Sequence, residues 1–118
     1  ITVLFIGGRV RGRTLACVDP WALDALAQSY VDVAFVATNG ISVQRGLTTP
    51  DQAEAAVKRA MIASARRVVL LADHTKVSSD HLARFGSLPE IDTFITDTGL
   101  DERTAAEIES HGPRVIRA

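Results

Sequence analysis

Apolar and polar positions along the chain fall into two alternating patterns. Short apolar runs recur at Thr2–Ile6, Val31–Ala37, Arg67–Ala72, Asp92–Ile95 and Val115–Ile116, and the first four are followed at once by Gly, Thr or Asp. Val31–Ala37 is apolar apart from Asp32. Such runs predict strands buried on both faces, as in parallel sheets. The segments between them repeat at helical spacing. Asp19-Pro20 opens one helix, Asp19 as N-cap and Pro20 at the first helical position, with Trp21, Leu23, Leu26 and Ala27 as its apolar side. Thr49-Pro50-Asp51-Gln52 has the spacing of a capping box before a second helix, which carries Ala53, Ala56, Val57, Ala60, Met61 and Ala65. Ser78–Phe85 reads as a short helix or turn. Asp101 caps a third helix reaching about His111, stopped by Gly112-Pro113. Strand and helix alternate without repeat or linker, so residues 1–118 read as one α/β domain with a mostly parallel sheet flanked by helices.

That order of elements concentrates three polar loops. Parallel strands joined by crossovers bring their carboxyl ends to one edge, where open α/β sheets bind ligands. Thr38–Thr49, which holds Thr38-Asn39-Gly40-Ile41 and Gly46-Leu47-Thr48-Thr49, leaves one strand. Ala72-Asp73-His74-Thr75-Lys76 leaves the next, and Thr96-Asp97 a third. A crevice lined by all three suits a polyol phosphate of sugar size.

Composition narrows the class. The 118 residues are 47% hydrophobic and 23% charged, ordinary for one globular core and too apolar for disorder. Thirteen basic and 14 acidic residues leave a net charge of −1, which is no electrostatic footprint for nucleic acid. The chain alone should therefore show no preference for duplex DNA at physiological salt, since affinity there needs many phosphate contacts. A salt-sensitive mobility shift at submicromolar protein would refute this. Cys17 is the single cysteine, in Leu15-Ala16-Cys17-Val18, and reads as a small buried hydrophobe. No apolar run approaches the roughly 20 residues of a membrane span. Together these features suit a reducing cytoplasm and no membrane partner. The chain starts at Ile1, not Met, with a strand already in progress, and is expected to be the carboxyl-terminal piece of a longer protein.

Two further groups bear on chemistry. Arg9-Val10-Arg11-Gly12-Arg13 reads as a solvated hairpin tip or an oligomer contact, with no defined anionic partner. His74, His81 and His111 are scattered, and no pair has the spacing that puts two metal ligands on one face, so no metal or other cofactor is expected.

The order of Gly7-Gly8, Thr38-Asn39-Gly40-Ile41-Ser42 with Gly46-Leu47-Thr48-Thr49, the helix bearing Glu54 and Lys58, Ala72-Asp73-His74-Thr75-Lys76 and Ile91-Asp92-Thr93-Phe94-Ile95-Thr96-Asp97 resembles the effector-binding domain of the DeoR family of bacterial transcription regulators. The resemblance spans nearly the whole chain. It implies the fold of ribose-5-phosphate isomerase and the CoA transferases, sensing of a phosphorylated sugar, assembly into dimers or tetramers, and DNA binding through an amino-terminal winged helix-turn-helix. It also implies a Gly-Thr-Thr phosphate loop in a preceding βα unit. Neither that loop nor the winged helix lies in this sequence, so the fold is expected to be truncated at its amino end.

The resemblance marks Asn39, Gly40, Asp73, Lys76 and Lys58 as effector-binding candidates. Asn39 would offer amide hydrogen bonds and Gly40 would let the main chain approach the ligand, although Asn-Gly also favours a left-handed turn by itself. Asp73 and Lys76 would supply an acceptor for a sugar hydroxyl and an ammonium for a phosphate, or else pair with one another. Lys58 would reach the cleft or lie along its helix beside Glu54. Asp97 would cap the turn after its strand.

Sugar-phosphate isomerisation is the rival activity of the fold. It needs a base within reach of the substrate, and Thr38–Pro50 contains no Asp, Glu or His. The resembling isomerases carry acidic residues in that region, so a binding module is expected rather than an enzyme. A third reading is an assembly module with a vestigial cleft.

Overall fold

In the computed structural model, which describes residues 1–118, the strongest apolar runs become the strands of one sheet. These are β3 (Val31–Ala37), β6 (Ala65–Leu71), β8 (Thr93–Thr96) and β9 (Arg114–Arg117). They lie in the order β3-β6-β8-β9 and all run parallel. Before them come β1 (Arg9–Val10) and β2 (Cys17–Val18), a two-stranded antiparallel pair, and α1 (Asp19–Ala27). Between β3 and α2 (Gln52–Ala63) lie β4 (Gly40–Ser42) and β5 (Gly46–Thr49). Strand β7 (Ala83–Gly86) joins β5, making a three-stranded antiparallel sheet, and α3 (Glu102–Glu109) precedes β9. The chain is thus α/β, a four-stranded parallel sheet flanked by three helices.

The sequential order of the parallel strands decides where the core sits. Right-handed crossovers that always advance in one direction keep their connections on one face of the sheet. Ala34, Val36, Val68, Leu70 and Phe94 point to that face and pack with Ala55 and Ile62 of α2 and Ala105 and Ile108 of α3. Helix α1 packs on α2 instead, where Val18, Ala22 and Val57 form a smaller cluster. On the opposite face, the register aligns Phe35 with Val69, Leu71 with Ile95, and Ile95 with Ile116. No helix covers them. Strand β3 is therefore not buried on both faces as its apolar run suggested; it alternates, and Phe35 is 62% exposed.

Several other expectations are corrected. Thr2–Ile6 forms no strand and is exposed, because β propensity describes fitness for a paired surface and no strand adjoins it. Thr38–Thr49 is not a plain loop. Ile41 and Leu47, both fully buried, face each other across the β4–β5 hairpin, and Gly46 takes the positive φ of its turn. Of the two readings of Ser78–Phe85 no helix forms: Ser78 is a turn residue, and Ala83–Phe85 enter β7 to pair with β5. Trp21 is exposed, and Ala22 is the residue α1 buries. Val18 takes the N-cap position of α1, so Asp19 is its first residue and pairs with Arg9. In α2 the N-cap is Asp51, which accepts from Glu54 N–H at 2.8 Å, and not Thr49. That helix buries Val57 as expected, but with Ala55 and Ile62, while Ala53, Ala56, Ala60 and Met61 are half-buried and Ala65 already belongs to β6. Asp101 does cap α3, accepting from Thr104 N–H at 3.0 Å.

Candidate functional site

The carboxyl ends of β3, β6 and β8 meet at one edge. The register Ala37↔Leu71↔Ile95 sets Asn39, Asp73 and Asp97, two residues further on, side by side in sequence level. Strand β3 ends in a hydrogen-bonded turn. Thr38 Oγ1 donates to Gly40 O at 2.7 Å, and Thr49 Oγ1 donates to Asn39 Oδ1 at 2.8 Å. With its oxygen so used, the exposed Asn39 keeps its amide N–H groups as donors.

Space beside its Cα gives Gly40 a reason for being glycine that the sequence did not suggest. Its φ is not positive, so Asn39-Gly40 is no left-handed turn. A Cβ there would lie 2.2 Å from Ser79 O and 2.9 Å from Thr48 Oγ1, so the space beside Gly40 is filled by the Ser78–His81 segment. His81 leans on the same turn, its Nε2 3.2 Å from Asn39 O, and its N–H donates to Thr48 Oγ1 at 3.0 Å. A cleft of about 460 Å³ lined by Gln44, Arg45, Thr48, His81, Leu82 and Arg84 flanks this side of the edge.

After β6, residues His74–Lys76 make a single 3-10 turn. Asp73 caps it, its Oδ1 accepting from Thr75 N–H at 2.8 Å and also from Thr75 Oγ1. Those bonds, first the hydroxyl's and then the amide's, hold the Asp73 carboxyl below its usual range. Lys76 is half-buried and makes neither an ion pair nor a side-chain hydrogen bond; its pairing with Asp73 is not formed. Its ammonium is therefore available.

Lys58 does not simply lie along its helix beside Glu54. Its Nζ donates to Ala37 O at 2.7 Å, near the end of β3, and stands 5.3 Å from the centre of the Phe85 ring. Burial pulls its pKa down, and Glu54 partly opposes this. Glu54 itself is held by Arg11, which also lies 3.7 Å from Asp51. Arg11 is thus not a solvated tip residue: it clasps the hairpin to the first turn of α2. Arg13 is exposed.

The sequence reading missed a pair. Asp97 Oδ1 accepts from His74 N–H at 2.6 Å, Asp97 Oδ2 lies 2.7 Å from His74 Nδ1, and Gly99 N–H donates to Oδ2 at 3.1 Å. Asp97 therefore joins two adjacent loops and does more than cap its own turn. Nothing in the sequence ties positions 74 and 97 together until the β6–β8 register is known. The backbone and ring bonds from His74 lower the Asp97 pKa to about 2. A depressed carboxyl contributes stability above its unfolded pKa, roughly 3.9, and loses it as pH falls through the folded value. Between about pH 4 and pH 2 the protein should lose stability more steeply than Asp97→Asn, as read by circular dichroism in an acid titration; superimposable curves would show that the pair has no such linkage.

These donors, with the Asp73 oxygen that Thr75 leaves unbonded, can hold an anion and orient hydroxyl groups. No group of three or more His, Cys, Asp or Glu is placed to hold a metal ion, and no helix is long and apolar enough to cross a membrane.

Comparison with known proteins fits this arrangement. A family model described as the DeoR C terminal sensor domain matches residues 1–98. The HTH-type transcriptional regulator GlpR of Haloferax volcanii is 43% identical over 114 residues, covering 97% of this chain and 45% of that protein. The HTH-type transcriptional repressor GlcR of Bacillus subtilis is 33% identical over 97 residues, 82% of this chain and 37% of its own. The glycerol-3-phosphate regulon repressor of Escherichia coli is 30% identical over 95 residues, 80% of this chain and 38% of its own. The chain spans less than half the length of these relatives. With residues 1–98 matched and the sheet edge built as described, the chain belongs to the DeoR C-terminal sensor domain family.

Proposed function

We propose that this domain senses a phosphorylated sugar or polyol for a cytoplasmic, self-associating transcriptional repressor of carbohydrate metabolism whose DNA contacts lie in a separate segment. The observation that carries the reading is the half-buried Lys76 ammonium, without an internal partner, at the carboxyl edge of a parallel sheet. In this reading Lys76 meets the phosphate, and the Asn39 amide and Asp73 meet hydroxyl groups. Lys58 orders the end of β3 beneath them and adds positive charge. Gly40 acts through packing, by admitting Ser79. The names of the glycerol-3-phosphate regulon repressor and of GlcR support a phosphorylated or sugar effector and a repressing role.

Chemistry driven by a carboxylate base is disfavoured on two counts. Thr38–Pro50 offers no base, and Asp73 and Asp97 are depressed carboxyls occupied by hydrogen bonds, far from the near-neutral pKa that suits a general base.

Thermal unfolding of the full-length protein against a panel of sugar and polyol phosphates, each beside its unphosphorylated parent, tests the reading. A ligand that binds only the native state at a hundred times its Kd adds about 2.7 kcal/mol, enough to raise the midpoint by several degrees. The phosphorylated compound alone should do so. No shift with any phosphorylated compound, or equal shifts with the parents, would overturn it.

A further inference from the structure

We propose that His74 is a ligand-contacting residue of this edge, held by Asp97 so that its outer ring nitrogen, Nε2, meets the effector's phosphate and makes effector binding strengthen as pH falls. The inference rests on the proposed phosphorylated effector.

The ring is fixed by a three-part device. Asp97 grips both the backbone N–H and Nδ1 of His74, at 2.6 and 2.7 Å, and Gly99 N–H in turn grips Asp97. Position 99 leaves no room for a side chain in this arrangement: a Cβ there would lie 2.4 Å from His74 Nδ1 and 2.7 Å from Asp97 Oδ2, so ring or carboxylate would have to move, and the φ of Gly99 is not positive. With Nδ1 turned to the carboxylate, the Nδ1 proton is fixed inward and Nε2 is left outward. The neutral ring then presents a lone pair at Nε2, and the protonated ring presents an N–H donor.

The surroundings decide what Nε2 can serve. The charged groups of this edge are Asp73 and Lys76, on the turn that carries His74, and Asp97 on the loop after β8, all within electrostatic reach of one another. Both oxygens of Asp97 are occupied, by His74 and Gly99, and Asp73 Oδ1 by Thr75. The groups of the turn able to donate to an anion are the Lys76 ammonium and, when the ring is protonated, His74 Nε2. With the ring neutral, the three charges leave the turn net negative; protonation makes it neutral and adds a second donor. A phosphate is the ligand for which that change matters most, because a donor to an anion makes a charge-assisted bond.

The test uses calorimetric titration of the full-length protein with glycerol 3-phosphate, glucose 6-phosphate, fructose 1-phosphate and fructose 6-phosphate, carrying the tightest binder from pH 8 to pH 6. A phosphate ester has its own second ionisation near pH 6, but it acts equally on every variant, so the ratio of affinities isolates His74. The ratio of native to His74→Gln affinity should rise by about tenfold over that interval, the size expected when a charge-assisted bond replaces a neutral contact. Gly99→Ala, which displaces the ring or the carboxylate that holds it, should reproduce the loss. If His74→Gln does not fold, the His74 Hε1 resonance of the native protein decides: it should move on ligand addition. A constant ratio, or an unmoved resonance, would show that His74 only staples the turn, and binding that still depends on Lys76 would leave the effector reading intact. No binding by any phosphorylated probe would overturn both.

Discussion

Lys76→Met should lower the affinity of the full-length protein for its phosphorylated effector by about ten- to a hundredfold. Methionine keeps the stem's packing and removes the charge, and a hydrogen bond to a charged group is worth about 1.5–3 kcal/mol at about 1.4 kcal/mol per decade of affinity. The geometry sharpens the expectation. The ammonium is half-buried beside Asp73 yet makes no internal bond, so its removal leaves no orphaned partner in the protein. Folding should be nearly unchanged, and the denaturation midpoint is the control. Calorimetric titration reads the effect. Native affinity in a folded Lys76→Met protein would take Lys76 out of the site and leave Asn39 and His74 to carry recognition.

Phe94→Ala should be the more damaging change for the fold. Phe94 is fully buried in the middle of the parallel sheet, paired in register with Leu70 and Val115, and belongs to the cluster that joins the sheet to α2 and α3. Truncating such a side chain costs about 3–5 kcal/mol in lost burial and residual cavity. Domains of this size have about 5–15 kcal/mol in all. Phe35→Ala is the matched control. It removes the same atoms from the uncovered face of the same sheet and should shift the urea midpoint far less. Equal losses from the two would mean that the Phe35 face is buried in solution.

The contrast between those phenylalanines marks where sequence reading succeeds. Val31–Ala37 was legible to the residue, and β6, β8 and β9 nearly so, because apolar, β-branched segments that alternate with helical ones and border polar turns have few other uses. What such a run cannot disclose is whether each face has a cover. Phe35 and Phe94 look alike in the chain, and only strand order separates them. The β4–β5–β7 sheet was missed for a related reason: each of its strands carries a glycine and no continuous apolar run, and their pairing is settled by Ile41, Leu47 and Phe85 packing into the common core. At the site, Asn39, Asp73 and Lys76 were placed at one edge by parallel topology alone. The partners were not legible. Asp73 bonds to Thr75 and not to Lys76, Lys58 reaches back to Ala37 O, and His74 finds Asp97 only through the register of β6 and β8.

The bare side of the sheet has a further consequence, for how the chain behaves in concentrated solution. Val33, Phe35, Leu71, Ile95 and Ile116 run across four strands as an apolar strip in contact with water. A net charge of −1 supplies almost no repulsion to keep two such strips apart. Attraction between them is hydrophobic, so it weakens on cooling and is little affected by the screening of charges with sodium chloride. Light scattering from the 118-residue chain should therefore rise with temperature and stay flat across moderate salt, a colloidal signature of the strip; scattering that fell as salt was added would trace the attraction to charge instead.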